Sequence, residues 1–321
     1  MPTRPRGTLL LVAALVLAVP IAGCGDETTE QRKPAIAATD EEVGALAAGE
    51  QQFAFDMYGR LAGDSNLFFS PYSIAAALGM TAAGARGDTE YEMASVLHFP
   101  TEESSGAPMF VARETAAASY ARLRRELTAD PETEGYELHI ANRLWGQEGY
   151  PFLESYINFI GAHYEAPLSL ADFERNAEAE RVRINDWAEE ETRGRIEDLI
   201  PPGGVDAATT LVLTNAVYFK GMWLQKFDRE NTEDATFHGA HAEAEVSLMY
   251  QKAEFDYHET EEAQMLELPY VGEEISMVVM LPRADSGIDL PMLESSLTAD
   301  MLDEWLGLMR DHFGERHQNA L

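Results

Sequence analysis

The chain has 321 residues and a formal net charge of −33, from 23 Lys and Arg against 56 Asp and Glu. Apolar residues make up 45% and aromatic residues 9%, enough for a sizeable core, which excludes wholesale disorder. So acidic a chain excludes a nucleic-acid partner, because neutralising phosphates needs a Lys and Arg surface. It favours solubility, or an acidic face that steers a basic partner.

Arg4 and Arg6 precede an apolar run of 14 residues, 9–22, which is short for a membrane span and fits the core of a secretory signal. The run ends Ile21-Ala22-Gly23-Cys24, and Cys24 is the only cysteine. Small residues before that Cys suit a peptidase that must approach the backbone closely. The order of charge, apolar run, small residues and Cys resembles the bacterial lipobox. Residues 1–24 are thus expected to be a lipoprotein signal with Cys24 lipidated, the alternative being an ordinary signal peptide with a stray Cys. The domain would be secreted, extracytoplasmic and held on the cell envelope by a lipid anchor. A mature chain starting there has no other thiol, so core packing alone must stabilise it. Residues 25–42 are polar and acidic and are expected to be a flexible linker, with a domain over 43–309.

Leu46, Phe53, Met57 and Leu61 recur at helical spacing, which predicts a helix over 44–62. Ser70 followed by Pro71 is a helix start signal. The helix that follows, 71–84, is apolar on nearly every face and must be buried. Residues 84–89 form a turn, with Thr89 placed to cap the next helix. The turn contains Arg86-Gly87-Asp88, a tripeptide known from cell adhesion and read here as a plain turn. Helices are predicted over 110–128, 152–164 and 177–192, and a strand over 136–145. The strongest strand signal is 209–219, β-branched and apolar on both faces, hence a central strand of a covered sheet. Further strands are predicted at 246–250, 264–268 and 275–281, then one or two short helices over 290–309.

Asn215 sits in the middle of that strongest strand. Burying an amide unpaired costs about 2–7 kcal/mol, so it must find partners, and Ser70 and Ser73 are the natural candidates. It is either a satisfied core amide or a polar lock that holds a sheet closed and can be opened.

Four motifs occur in order: Asn66-Leu67-Phe68-Phe69-Ser70-Pro71-Tyr72-Ser73-Ile74; Gly84-Ala85-Arg86-Gly87-Asp88-Thr89 with Glu92-Met93; Asn215-Ala216-Val217-Tyr218-Phe219-Lys220-Gly221-Met222-Trp223; and Glu267-Leu268-Pro269-Tyr270 ahead of Ser276-Met277. Together they resemble the serpin family over 43–309. The resemblance implies an α+β serpin fold, with a large central mixed β-sheet, two smaller sheets and surrounding helices. It also implies inhibition of serine proteases, and sometimes cysteine proteases, by cleavage of a reactive loop that then inserts into the central sheet. By position, Ser70, Ser73 and Asn215 match the family's shutter, where the sheet parts. Trp223 matches its breach, where insertion of the loop begins. The resemblance implies a monomer without cofactor.

The likeness stops at Met309. The family has a small-residue hinge, the reactive loop and further strands beyond that point. Residues 310–321 are instead polar and patternless. The expectation is a reading of the gene interrupted by a frameshift or early stop, so that the serpin domain is incomplete. The reactive bond and the family's shutter His are then absent from this chain, which would not inhibit in this form. The alternative is a non-inhibitory binding or structural lipoprotein, or an inactive remnant. An enzyme is not expected, since nucleophile elbow, zinc-protease and phosphate-loop motifs are all missing. His238 and His241 beside Glu243 resemble a metal pair at best, and a solvated loop is the expectation there.

Overall fold

A computed structural model describes residues 38–63, 65–104, 107–110, 113–128, 135–239 and 242–318. The expected signal segment with Cys24 and most of the expected linker lie outside these residues. The described residues form two compact units, one within 38–128 and 138–219, the other within 135–137 and 220–318.

In the first unit, α1 (Asp40–Leu61) starts three residues before the expected domain boundary at Val43. Thr39 and Glu42 cap it reciprocally: the Thr39 N–H donates to the Glu42 carboxylate at 2.6 Å and the Glu42 N–H to the Thr39 hydroxyl at 3.2 Å. Those backbone and hydroxyl donors hold the Glu42 carboxyl below its ordinary range. Next come α2 (Pro71–Gly84), capped by Ser70, and α3 (Asp88–Val96). The latter opens on Gly87 at φ 65° with no side-chain cap, so Thr89 lies inside the helix and does not cap it. The hairpin β1 (Thr101–Ser104) and β2 (Ala107–Phe110) leads to α4 (Arg113–Leu127). The rest of the unit is β3 (Tyr136–Gln147), α5 (Glu154–His163), β4 (Leu168–Ala171), α6 (Phe173–Glu191) and β5 (Leu211–Gly221).

One sheet of order β4, β3, β5 has a hydrophobic layer on each face. Successive strand residues point to opposite faces. Leu144 and Leu213 therefore join the core of α1, α2, α4 and α5, while their neighbours Trp145 and Val212 join Ile184, Trp187 and Ala188 of α6. That double covering explains why β5 is apolar throughout. It does not make β5 central: among the described residues, β5 is bonded on one side only, to β3. Helices cover its faces and say nothing of its edges. α2 is buried through small residues, with Ala75, Ala76 and Met80 at 0–2% exposure. Close approach is needed at Gly49 of α1, where a Cβ would stand 2.3 Å from the His98 carbonyl oxygen.

The second unit holds the hairpin β6 (Glu233–His238) and β7 (Glu243–Leu248), and the meander β8 (Asp256–Glu259), β9 (Ala263–Pro269), β10 (Ser276–Pro282). α7 (Leu290–Ser296) and α8 (Ala299–Gln318) follow, and Leu293, Trp305 and Met309 pack with Ala263 and Met265 of β9. The tail expected to be polar and patternless continues α8 as far as Gln318.

Candidate functional site

A chain of buried hydrogen bonds crosses the first unit from α2 to α5. The Ser73 hydroxyl donates to Asn215 Oδ1. Asn215 Nδ2 donates to Asn142 Oδ1 at 2.7 Å, and Asn142 Nδ2 donates to the Tyr164 carbonyl at 3.1 Å. All three side chains are buried, Asn215 at 2% exposure, so each bond replaces water that the site excludes. Ser73 is the fourth residue counted from the cap of α2. Asn142 and Asn215 stand on the α2 side of adjacent strands because they share the parity of Leu144 and Leu213.

Of the two serines expected to meet Asn215, the structure brings only Ser73. Ser70 is the cap, its hydroxyl accepting from the Ser73 N–H at 3.3 Å. Asn142 is the partner that sequence reasoning missed. Its strand mixes Glu137, His139 and Arg143 with apolar residues, so one more polar side chain did not stand out. On the opposite face a second polar pair stitches the same strands. The Trp145 Nε1–H donates to the Thr214 hydroxyl at 2.9 Å, which in turn donates to the Arg143 carbonyl at 3.1 Å. The Ser73 hydroxyl is committed to the Asn215 amide oxygen, and among the described residues no hydrogen bond joins it to an imidazole.

Trp223 lies in the second unit. Its indole stacks on Tyr270 with centroids 4.4 Å apart and planes 13° from parallel. The two residues also form an isolated antiparallel bridge, and Leu224 N–H donates to the Pro269 carbonyl at 2.9 Å. Gly135, at φ 70°, passes so close that a Cβ would meet the Val271 Cβ at 2.3 Å.

The other candidate features resolve into local structure. The Arg86 guanidinium folds back on the Ala83 and Ala85 carbonyls at the end of α2, so Arg86-Gly87-Asp88 is a turn, not an extended ligand. His238 pairs with Glu243 at 2.9 Å across the hairpin of β6 and β7, and His241 lies outside the described residues. Among the described residues no cluster of three His, Cys, Asp or Glu could hold a metal, and no helix is long and apolar enough to cross a membrane.

The fold is thus of the mixed helix and sheet class, with a sheet covered on both faces and crossed by buried side-chain hydrogen bonds. Residues 48–316 match the family described as serpin (serine protease inhibitor). The chain is 36% identical over 274 residues to human Serpin B3, covering 83% of this chain and 70% of that protein. It is 38% identical over 270 residues to pig leukocyte elastase inhibitor, covering 81% and 68%. The structure of emu ovalbumin superposes with a TM-score of 0.74 at 33% identity, covering 82% of this chain and 69% of that one. The chain belongs to the serpin family and has the serpin fold.

Proposed function

We propose that this chain is the body of a serpin-type inhibitor of serine proteases, acting through cleavage of a reactive loop and its insertion as a strand beside β5. The observation that carries the reading is the lock of Ser73, Asn215 and Asn142. Hydrogen bonds of this kind can be exchanged as strands part, whereas interdigitated apolar packing cannot. The bonding of β5 on one side only, among the described residues, supports it, as does the similarity to leukocyte elastase inhibitor. In this reading Ser70, Ser73 and Asn215 form the shutter and Trp223 marks the breach. Residues 310–318 are helical, so they do not serve as the inserting strand. The 321-residue polypeptide is expected to form no covalent complex with trypsin-, elastase- or subtilisin-like proteases on denaturing gels. The product of the gene read in every frame past the codon for Arg310 is expected to form one with at least one of them. If no product does, the non-inhibitory alternative takes its place.

We also propose that the domain is a monomer held on the cell envelope through lipidated Cys24, on the strength of Ile21-Ala22-Gly23-Cys24 after the apolar run. One acyl chain binds membranes only marginally, so stable anchoring needs the several chains that such a Cys receives. Cys24→Ala is expected to abolish lipid labelling and release the domain from membranes. Retention equal to the parent's would remove the anchor from the proposal.

A further inference from the structure

Glu50 projects from α1 into the place where α1 meets α2 and α4. One carboxylate oxygen accepts from the Tyr120 hydroxyl of α4. The other is buried without a hydrogen-bond partner among the described residues. Tyr120 is ringed by Tyr72 of α2 at 6.0 Å and Tyr164, just past α5, at 5.7 Å between centroids. Burial pushes the Glu50 carboxyl up to about 8. Desolvation and the neighbouring Glu50 charge push the Tyr72 and Tyr120 hydroxyls well above their ordinary range.

The other titratable groups around the cluster are accounted for. From α4, Arg124 acts on Tyr72 but is tied in an ion pair to Glu165. From α5, the Tyr156 hydroxyl donates to the Met80 carbonyl at 3.1 Å, and burial pushes it up to about 12. From the turn after α3, His98 packs its backbone on Gly49 and pairs its ring with Asp56 at 2.8 Å. None of these supplies Glu50 with a hydrogen-bonded cation.

The cluster adjoins the lock twice. Tyr72 immediately precedes Ser73, and Tyr164 carries the carbonyl on which the chain of hydrogen bonds ends. We propose that Glu50 is a proton-controlled latch on the sheet: while its carboxyl is neutral, α1, α2, α4 and Tyr164 close around it and the lock holds. Loss of that proton leaves an unpaired charge among three tyrosines, loosens α2 and Tyr164, and lets β3 and β5 part. The latch concerns how easily the sheet opens and is read without any protease, so it stands or falls apart from the inhibitory function.

The sign follows from linkage. Glu50 ionises near its ordinary value of 4.5 once exposed and near 8 while enclosed. The closed state therefore holds one more proton between these values. The opening constant should rise by as much as about tenfold per pH unit from about pH 5 to about pH 8, then level off. Hydrogen exchange, corrected for its intrinsic pH dependence, measures this on the whole polypeptide. Amides of 142–145 and 212–216 are expected to open at least tenfold more at pH 8 than at pH 6. Those of β9 and β10, in the other unit, are expected to change less than twofold. Glu50→Gln keeps the shape and removes the titration, and should give a flat profile in both units. Tyr120→Phe removes the hydrogen bond that favours the charged form, so its profile should level off at higher pH than the parent's. A flat parent, an equal rise in Glu50→Gln, or an unmoved plateau in Tyr120→Phe would each overturn the latch.

Discussion

Asn215→Ala is expected to lower folding stability by about 2–4 kcal/mol, since a stranded buried polar group costs about 1–3 kcal/mol and this change strands up to two. The Ser73 hydroxyl loses its acceptor and Asn142 Oδ1 loses its donor. Both residues are buried, Ser73 at 8% and Asn142 at 7% exposure, so bulk water does not replace the lost partner cheaply. Asn142→Ala should cost less, leaving Asn215 Nδ2 and the Tyr164 carbonyl, of which the carbonyl is the less demanding. Ser73→Ala should cost least, because Asn215 keeps its bond to Asn142. Asn215→Asp is the sharper variant. It sets an acceptor against Asn142 Oδ1 and buries a charge, so its folded carboxyl must titrate above the unfolded one. Its stability should then be highest in acid and fall as pH rises through the folded value. Chemical unfolding at several pH values measures all four. A midpoint for Asn215→Ala equal to the parent's would show that the bonds across the strands contribute nothing.

Much of this site was legible in the sequence, for reasons tied to particular residues. Asn215 declared itself because an amide amid Leu211, Val212, Leu213, Ala216 and Val217 has no solvent to face. Ser70 and Pro71 announced the start of α2, and its small apolar residues announced its burial. Glu50 was equally exposed to inference: it lies four residues after Leu46 and three before Phe53, on the stripe that faces the core. As a charged side chain it adds nothing to the apolar period that marks the helix. β4 has only four residues, β6 is charged and mostly exposed, and β8 is short, charged and half exposed, so neither alternation nor apolarity marked them. The tail after Met309 has no apolar period, yet its helix extends one already nucleated at Ala299, and propagation is cheaper than nucleation. That β5 is bonded on one side only among the described residues could not be read at all, because apolarity reports what covers a strand's faces and not what bonds to its sides.

Trp187→Ala is expected to be the other severe change, at about 3–5 kcal/mol for a large buried aromatic. Trp187 fastens α6 to the sheet on the face opposite the lock. Its ring meets Trp145 of β3 edge-on, with centroids 6.0 Å apart and planes at 72°. The Arg143 guanidinium lies 5.2 Å from the Trp187 ring centre and 5.4 Å from that of Trp145, with its Nε buried and without a hydrogen-bond partner among the described residues. Removing Trp187 thus opens a cavity and takes away one of two π faces from a cation that has few other partners, a loss of about 0.5–2 kcal/mol in its own right. Trp187→Phe should cost less than about 1.5 kcal/mol, because it keeps an aromatic face and gives up only an indole N–H that has no partner among the described residues. Arg143→Met separates the two contributions, since it keeps the stem against both rings and removes the charge. A double-mutant cycle of Arg143→Met with Trp187→Ala should show a coupling of about 1 kcal/mol. Zero coupling would assign the whole loss to burial, and α6 would then be held on the sheet by packing of Trp187, Ile184 and Ala188 alone.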